Sequence, residues 1–209
     1  THKLLCKTQK IWRKITMAKR ESTFINMVVT LFLVTGIAAA GLGFVYDLTK
    51  GPIEVARLKA QNEAIKQVLP EFDTLGNSFK TLAEEGGDSL EFFPAYKNGE
   101  LVGTAVKTYT NKGFSGFISI MAGIDNTGNF SGYSVLEHQE TPGLGSKMDV
   151  WFNNAEKPNQ NIIGKSPATT RFSVTKDGGD IDAITASTIT SRAFLDALTR
   201  AYSSYEKNK

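Results

Sequence analysis

The 209-residue chain has a single cysteine, Cys6, and only two histidines, His2 and His138. One cysteine excludes an intrachain disulfide and any cysteine-ligated zinc or iron–sulfur centre. With His2 in a basic head far from the rest, no Ser/His/Asp constellation can be drawn, and neither a Gly-x-Gly-x-x-Gly turn nor a Walker loop is present. Net charge is also scarce, at +3, and it is unevenly placed. Residues 1–22 hold seven Lys/Arg against one Glu, a net of +6, whereas the remainder holds 17 Lys/Arg against 20 Asp/Glu, a net of −3. A basic head on an acidic body argues against nucleic acid as a partner.

What is present begins with one long apolar run. Residues 24–46, FINMVVTLFLVTGIAAAGLGFVY, carry no Asp, Glu, Lys, Arg or His. About 20 such residues span a bilayer core, and a signal-peptide core is shorter, at about 7–15. Lys10, Arg13, Lys14, Lys19 and Arg20 precede the run. An excess of positive charge on that side keeps it in the cytoplasm. The expectation is a single-pass anchor in the cell membrane, with the C-terminal body exported. Met17-Ala-Lys-Arg-Glu reads as a start, which would make residues 1–16 an upstream extension. Small residues Gly36, Ala40, Gly41 and Gly43 lie along the span and allow close helix approach.

The organisation read from the sequence is a basic cytoplasmic head (1–22), a transmembrane helix (23–46), a stalk or first helix (47–70) and a folded domain (71–209). The first helix is expected to enter at Gly51-Pro52 and close at Pro70, with Leu58, Ala64, Ile65, Val68 and Leu69 as its apolar stripe. Residues 71–89 are polar and end in the loop Glu84–Asp88. The apolar period then shifts to two. Strands are predicted at 90–97 and 101–108 around Asn98-Gly99, and at 114–124 and 130–136 around residues 125–129. A further strand is predicted at 170–174, before a C-terminal helix with Phe194, Leu195, Leu198 and Tyr202 on one face. The fold class is therefore α+β, a largely antiparallel sheet with flanking helices.

Two stretches carry chemistry. Asp182–Ser191, DAITASTITS, crowds the hydroxyls of Thr185, Ser187, Thr188, Thr190 and Ser191 in front of that last helix. By composition it is a helix-capping string, and a helix start also seats phosphate. His138–Lys147, HQETPGLGSK, is a turn whose Gly143 and Gly145 permit close approach of a flat ligand. His138 reads either as a ligand-facing group or as a histidine packed at a strand end.

Together these stretches resemble the FMN-binding domain family. Asp182, Thr185, Thr188 and Thr190 match its Asp-x-x-(Ser/Thr)-Gly-Ala-Thr-x-Thr flavinylation motif, with Ala186 and Ser187 where Gly and Ala are usual. Glu140, Thr141, Pro142, Gly143, Leu144 and Gly145 match its Glu-Thr-Pro-Gly-x-Gly element. With the anchor, the chain is similar to the G subunits of Rnf-type ferredoxin:NAD oxidoreductases, whose sister family is the C subunit of sodium-pumping NADH:quinone reductase. The resemblance implies FMN joined by a phosphodiester to Thr190, with Asp182, Thr185, Ser187 and Thr188 around the attachment. It further implies Glu140, Thr141, Gly143, Leu144 and Gly145 beside the isoalloxazine, and Lys147 and Lys165 near the cofactor. A separate magnesium-dependent flavin transferase would load the FMN from FAD, releasing AMP. The partners implied are membrane subunits bearing other flavins and iron–sulfur clusters. A covalent-flavin subunit of a related reductase, and an anchored binding module without redox function, remain as alternatives.

Overall fold

A computed structural model describes residues 23–82 and 89–209, so the basic head and the Glu84–Asp88 loop lie outside the described residues. The chain divides into two units, Thr1–Glu54 and Val55–Lys209.

Helix α1 is Phe24–Val68, and it is long and apolar enough over its first part to cross a membrane. The expected helix start at Pro52 is not seen, because Pro52 lies inside α1. A proline removes one backbone donor, but the helical sequence on either side carries the helix past that single missing bond. Within the second unit, the end of α1 buries Ala64, Ile65 and Val68, while Leu58 stays 62 % exposed and drops out of the predicted stripe.

Among the described residues six strands follow: β1 (Thr74–Leu75), β2 (Phe79–Leu82), β3 (Ser89–Lys97), β4 (Glu100–Gly113), β5 (Gly116–Asp125) and β6 (Phe130–His138). All pair antiparallel in the order β1-β3-β4-β5-β6, with β2 also on the outer edge of β3. β1 pairs with Ala95 and Tyr96, and β2 with Ser89–Phe92. Pro94 falls in the gap between them, where a missing N–H interrupts no ladder. Asn98 and Gly99 both take positive φ, as the β3–β4 hairpin turn requires.

The pleat sends alternate residues to two cores. On one face Phe92, Val106, Ile120 and Ala122 meet helix α3 (Thr188–Lys207) through Ala193, Phe194, Ala197, Leu198 and Ala201. On the other, Phe93, Ala95, Ala105 and Met121 receive Ala64, Ile65, Val68 and Leu69 from α1. Gly123 and Gly132 make that second contact as close as it is: a Cβ at either would come within 3 Å of Val68 backbone atoms. Ser131 Oγ donates to the Val68 carbonyl at 2.6 Å at the same point.

Between β6 and α3 the chain has no regular strand. The strand expected at 170–174 reduces to one bridge, Val174 with Ile181. Phe172, Val174, Ile181 and Ile184 are buried by insertion into the α3 core and not by sheet pairing. The short helix α2 (Met148–Trp151) supplies Met148, and Phe152 behind it stacks on Phe194 with ring centroids 4.5 Å apart. Tyr133 meets Phe194 edge-on at 5.0 Å, donates its hydroxyl to the Met148 carbonyl and accepts the Phe152 N–H. Aromatic pairs of this geometry add about 0.5–1.5 kcal/mol beyond burial. Burial pushes the Tyr133 phenol well above its ordinary value, so the hydroxyl remains a donor.

Candidate functional site

The irregular segment ends at a tight turn that launches α3. Ser187 N–H bonds to the Ile184 carbonyl, and Ser191 Oγ accepts the Ile184 N–H while donating to the Ser187 carbonyl. This ties the turn to the first helical residues. Ala186 is driven to φ +62°, a left-handed conformation that glycine adopts without cost. Ser187 is the residue before the helix, but its hydroxyl makes no capping bond. The expected Ser/Thr cap is thus absent in that form. The first-turn N–H groups, which have no intrahelical acceptor, are not taken by a cap hydroxyl. Arg192, in the next turn, grips Asp177 through two bonds of 2.7 and 2.8 Å, fixing the preceding loop against the helix. The guanidinium holds the Asp177 carboxyl below its usual range.

The second motif reaches the same place from the sheet. After β6, Glu140 N–H donates to His138 Nδ1, turning the chain away from the strand. His138 therefore acts as a strand-end acceptor, with Nε2 4.0 Å from the Asp149 carboxylate. Burial raises the Asp149 carboxyl, and the nearby imidazole partly offsets this. Gly143 sits at φ +75°, its N–H donating to Ser146 Oγ, and Ser146 N–H returns to the Thr141 carbonyl. Gly145 is buried against Glu140 and Thr190, and a Cβ there would lie 2.5 Å from Glu140 Oε2 and 2.9 Å from Thr190 Oγ1.

The two stretches, 50 residues apart in sequence, close on one hydrogen bond: Thr190 Oγ1 donates to Glu140 Oε2 at 2.7 Å. Both residues are buried, Thr190 at 1 % exposure and Glu140 at 5 %. Above them opens a cleft of about 310 Å³, lined by Glu140, Thr141, Leu144 and Gly145 on one side and by residues 186–190 on the other, with Phe114 at its edge. Phe114, Leu144 and Ile189 are exposed apolar residues of its rim, and Thr141, Ser187, Thr188 and Thr190 are the hydroxyl-bearing residues of its lining. An apolar rim beside a hydroxyl-rich helix start fits a ligand with a flat ring at one end and a phosphate at the other.

Of the residues singled out in sequence, Glu140, Thr141, Leu144, Gly145, Ser187, Thr188 and Thr190 come together here. Gly143 shapes the turn without lining the cleft. Asp182 is spent on the backbone frame: its N–H donates to the Asn159 carbonyl and its carbonyl accepts Trp151 Nε1. Thr185 is an exposed turn residue and Lys147 an exposed residue closing a short 3₁₀ turn. Lys165 departs most from expectation. Its ammonium donates to the Pro158 carbonyl at 2.6 Å, and its backbone pairs with Phe130 at the start of β6. Phe114 and Ile189 were not singled out in sequence. Phe114 was read as the start of a strand, but β4 runs on to Gly113 and leaves Phe114 and Ser115 as the turn before β5. A large aromatic at a hairpin tip is the signal that could have found it.

Comparison with known proteins agrees with this geometry. A model of the FMN-binding domain matches residues 113–203, the stretch that contains the whole cleft. The G subunit of the Na(+)-translocating ferredoxin:NAD(+) oxidoreductase complex of Acetobacterium woodii is 32% identical over 190 residues, covering 84% of this chain and 88% of its own. The G subunit of the ion-translocating oxidoreductase complex of Aliivibrio fischeri is 31% identical over 202 residues, covering 93% of each. Its counterpart from Methanosarcina acetivorans is 31% identical over 178 residues, covering 83% of this chain and 89% of its own. The chain belongs to the G-subunit family of ion-translocating oxidoreductase complexes and carries that family's FMN-binding domain.

Proposed function

We propose that this chain is the electron-relay G subunit of a membrane-bound, ion-translocating ferredoxin:NAD oxidoreductase, holding FMN by a phosphodiester to Thr190. The observation that carries the reading is the Thr190 hydroxyl, lining a cleft between an uncapped helix start and an apolar rim. Bound there, FMN supplies the redox chemistry, which the protein's own side chains lack. The chain's residues hold and orient it. The first-turn N–H groups of α3, with the Ser187 and Thr188 hydroxyls, would receive the phosphate. Phe114, Leu144 and Ile189 would cover the ring and keep water from part of it, and the Gly143–Gly145 turn would let the backbone approach.

The apolar part of α1 anchors the chain, with the basic head in the cytoplasm and the FMN domain on the outer side. A covalent tether suits that location, where a dissociated flavin would diffuse away. Because residues 24–46 include no Asp, Glu, Lys, Arg or His, the coupled ion crosses through other subunits. Those subunits, with their own flavins and iron–sulfur clusters, donate to and accept from this one, and a flavin transferase matures it.

The test is a denaturing gel of the chain expressed beside a flavin transferase. Flavin fluorescence should migrate with the wild-type chain and vanish in Thr190→Val. A dark wild-type band, or an equally bright Thr190→Val band, refutes the attachment. Co-purification with iron–sulfur and multi-span subunits tests the assignment to the complex.

A further inference from the structure

The cleft contains one buried ionisable group, Glu140. Glu140 is a carboxylate buried to 5 % exposure, and such a group is costly to bury unless donors surround it. It has them: Ser115 N–H donates to Oε1 at 3.0 Å and Thr190 Oγ1 to Oε2 at 2.7 Å. The backbone is built around both oxygens. A Cβ at Gly113 would stand 2.6 Å from Oε1, and one at Gly145 would stand 2.5 Å from Oε2.

Nothing about packing a threonine in a helix requires this partner. Ser191 and Thr199, on the same helix, satisfy their hydroxyls with the carbonyls four residues back. The Thr190 hydroxyl is instead aimed at a side chain that can both accept its hydrogen bond and take its proton.

We infer that Glu140 is the general base for loading the flavin, so that the acceptor protein supplies part of the catalytic machinery for its own modification. The inference rests on the reading that Thr190 is the attachment site. As the flavin transferase presents FAD, Thr190 Oγ1 bonds to the phosphorus on the riboflavin side. The pyrophosphate P–O bond breaks, its electron pair leaves with AMP, and the Thr190 proton passes to Glu140 Oε2. Protein kinases use a carboxylate in the same way, accepting the proton of a substrate hydroxyl during phosphoryl transfer.

The experiment is a time course of FMN attachment to the purified apo chain, with transferase, FAD and magnesium, followed by in-gel fluorescence and intact mass. Glu140→Gln removes the basicity while keeping one carbonyl, which accepts from either Ser115 N–H or Thr190 Oγ1. Attachment to Glu140→Gln should slow by about 100-fold or more, the usual contribution of a positioned base. Its circular dichroism should match wild type, showing that it folds, its melting temperature should fall because one donor loses its acceptor, and Glu140→Asp should recover part of the rate. Labelling of Glu140→Gln at the wild-type rate overturns the role of Glu140 while leaving the Thr190 attachment intact. A wild-type chain that takes no label overturns the attachment itself.

Discussion

Ala186→Gly should make the protein more stable, an unusual direction for an alanine-to-glycine change. Ala186 holds φ +62°, where the Cβ of an L-residue crowds the following carbonyl at a cost of about 1–2 kcal/mol. The side chain is exposed, so its removal leaves no cavity. Against this gain stands the greater freedom of glycine in the unfolded chain, about 0.4–1 kcal/mol. Mid-range values leave a net stabilisation of about 0.8 kcal/mol. At about 2–4 °C per kcal/mol for a chain of this length, the melting temperature rises by roughly 1–4 °C. Ala186→Val should move the other way, since a β-branched residue fits the left-handed region worse. The assay is thermal unfolding of the full chain in detergent, followed by near-ultraviolet circular dichroism. A lower melting temperature for Ala186→Gly, with no change for Ala186→Val, would show that the backbone at Ala186 is not under the strain inferred here.

Other substitutions test the frame of the site. Gly145→Ala forces a methyl group against Glu140 and Thr190, so it should cost about 1.5–3 kcal/mol through loss of a charge-assisted hydrogen bond. Urea denaturation reads that loss, and a midpoint equal to wild type would mean that Glu140 can step aside. Gly123→Ala meets the backbone of Val68, which cannot rotate away, and should cost about 2 kcal/mol or more as the end of α1 is pushed off the sheet. Hydrogen exchange at residues 64–69 should rise in that variant, and unchanged protection there would contradict the close glycine contact.

The sequence was most legible where local chemistry decides the structure. Asn98-Gly99 and the Asp125–Asn129 turn announced their hairpins, because positive φ and side-chain-to-backbone bonds act over a few residues: the Asp125 carboxylate accepts N–H bonds from Thr127 and Asn129. β1 and β2 escaped notice because they are short and owe their conformation to the edge of β3. The run 170–174 looked like a strand because buried β-branched and aromatic residues carry the same pattern whether they pair or merely plug a core. At the site, the hydroxyl string and the Pro-Gly turn were each visible, but the bond between Thr190 and Glu140 was not. It depends on how the turn after β6 meets the start of α3, and periodicity carries no information on that. Lys165, placed near the cofactor by the family resemblance alone, has its ammonium on the Pro158 carbonyl, while its own carbonyl accepts the Phe130 N–H, contacts that no local pattern announces.

The central claim is that Thr190, and no neighbouring hydroxyl, carries the flavin. Trypsin should release residues 177–192 as one peptide, containing Thr185, Ser187, Thr188, Thr190 and Ser191 together. Fragmentation of that peptide from chain matured beside the transferase should assign the mass of FMN less one water to Thr190. An unmodified peptide, or the same added mass on Thr185 or Thr188, would contradict the account.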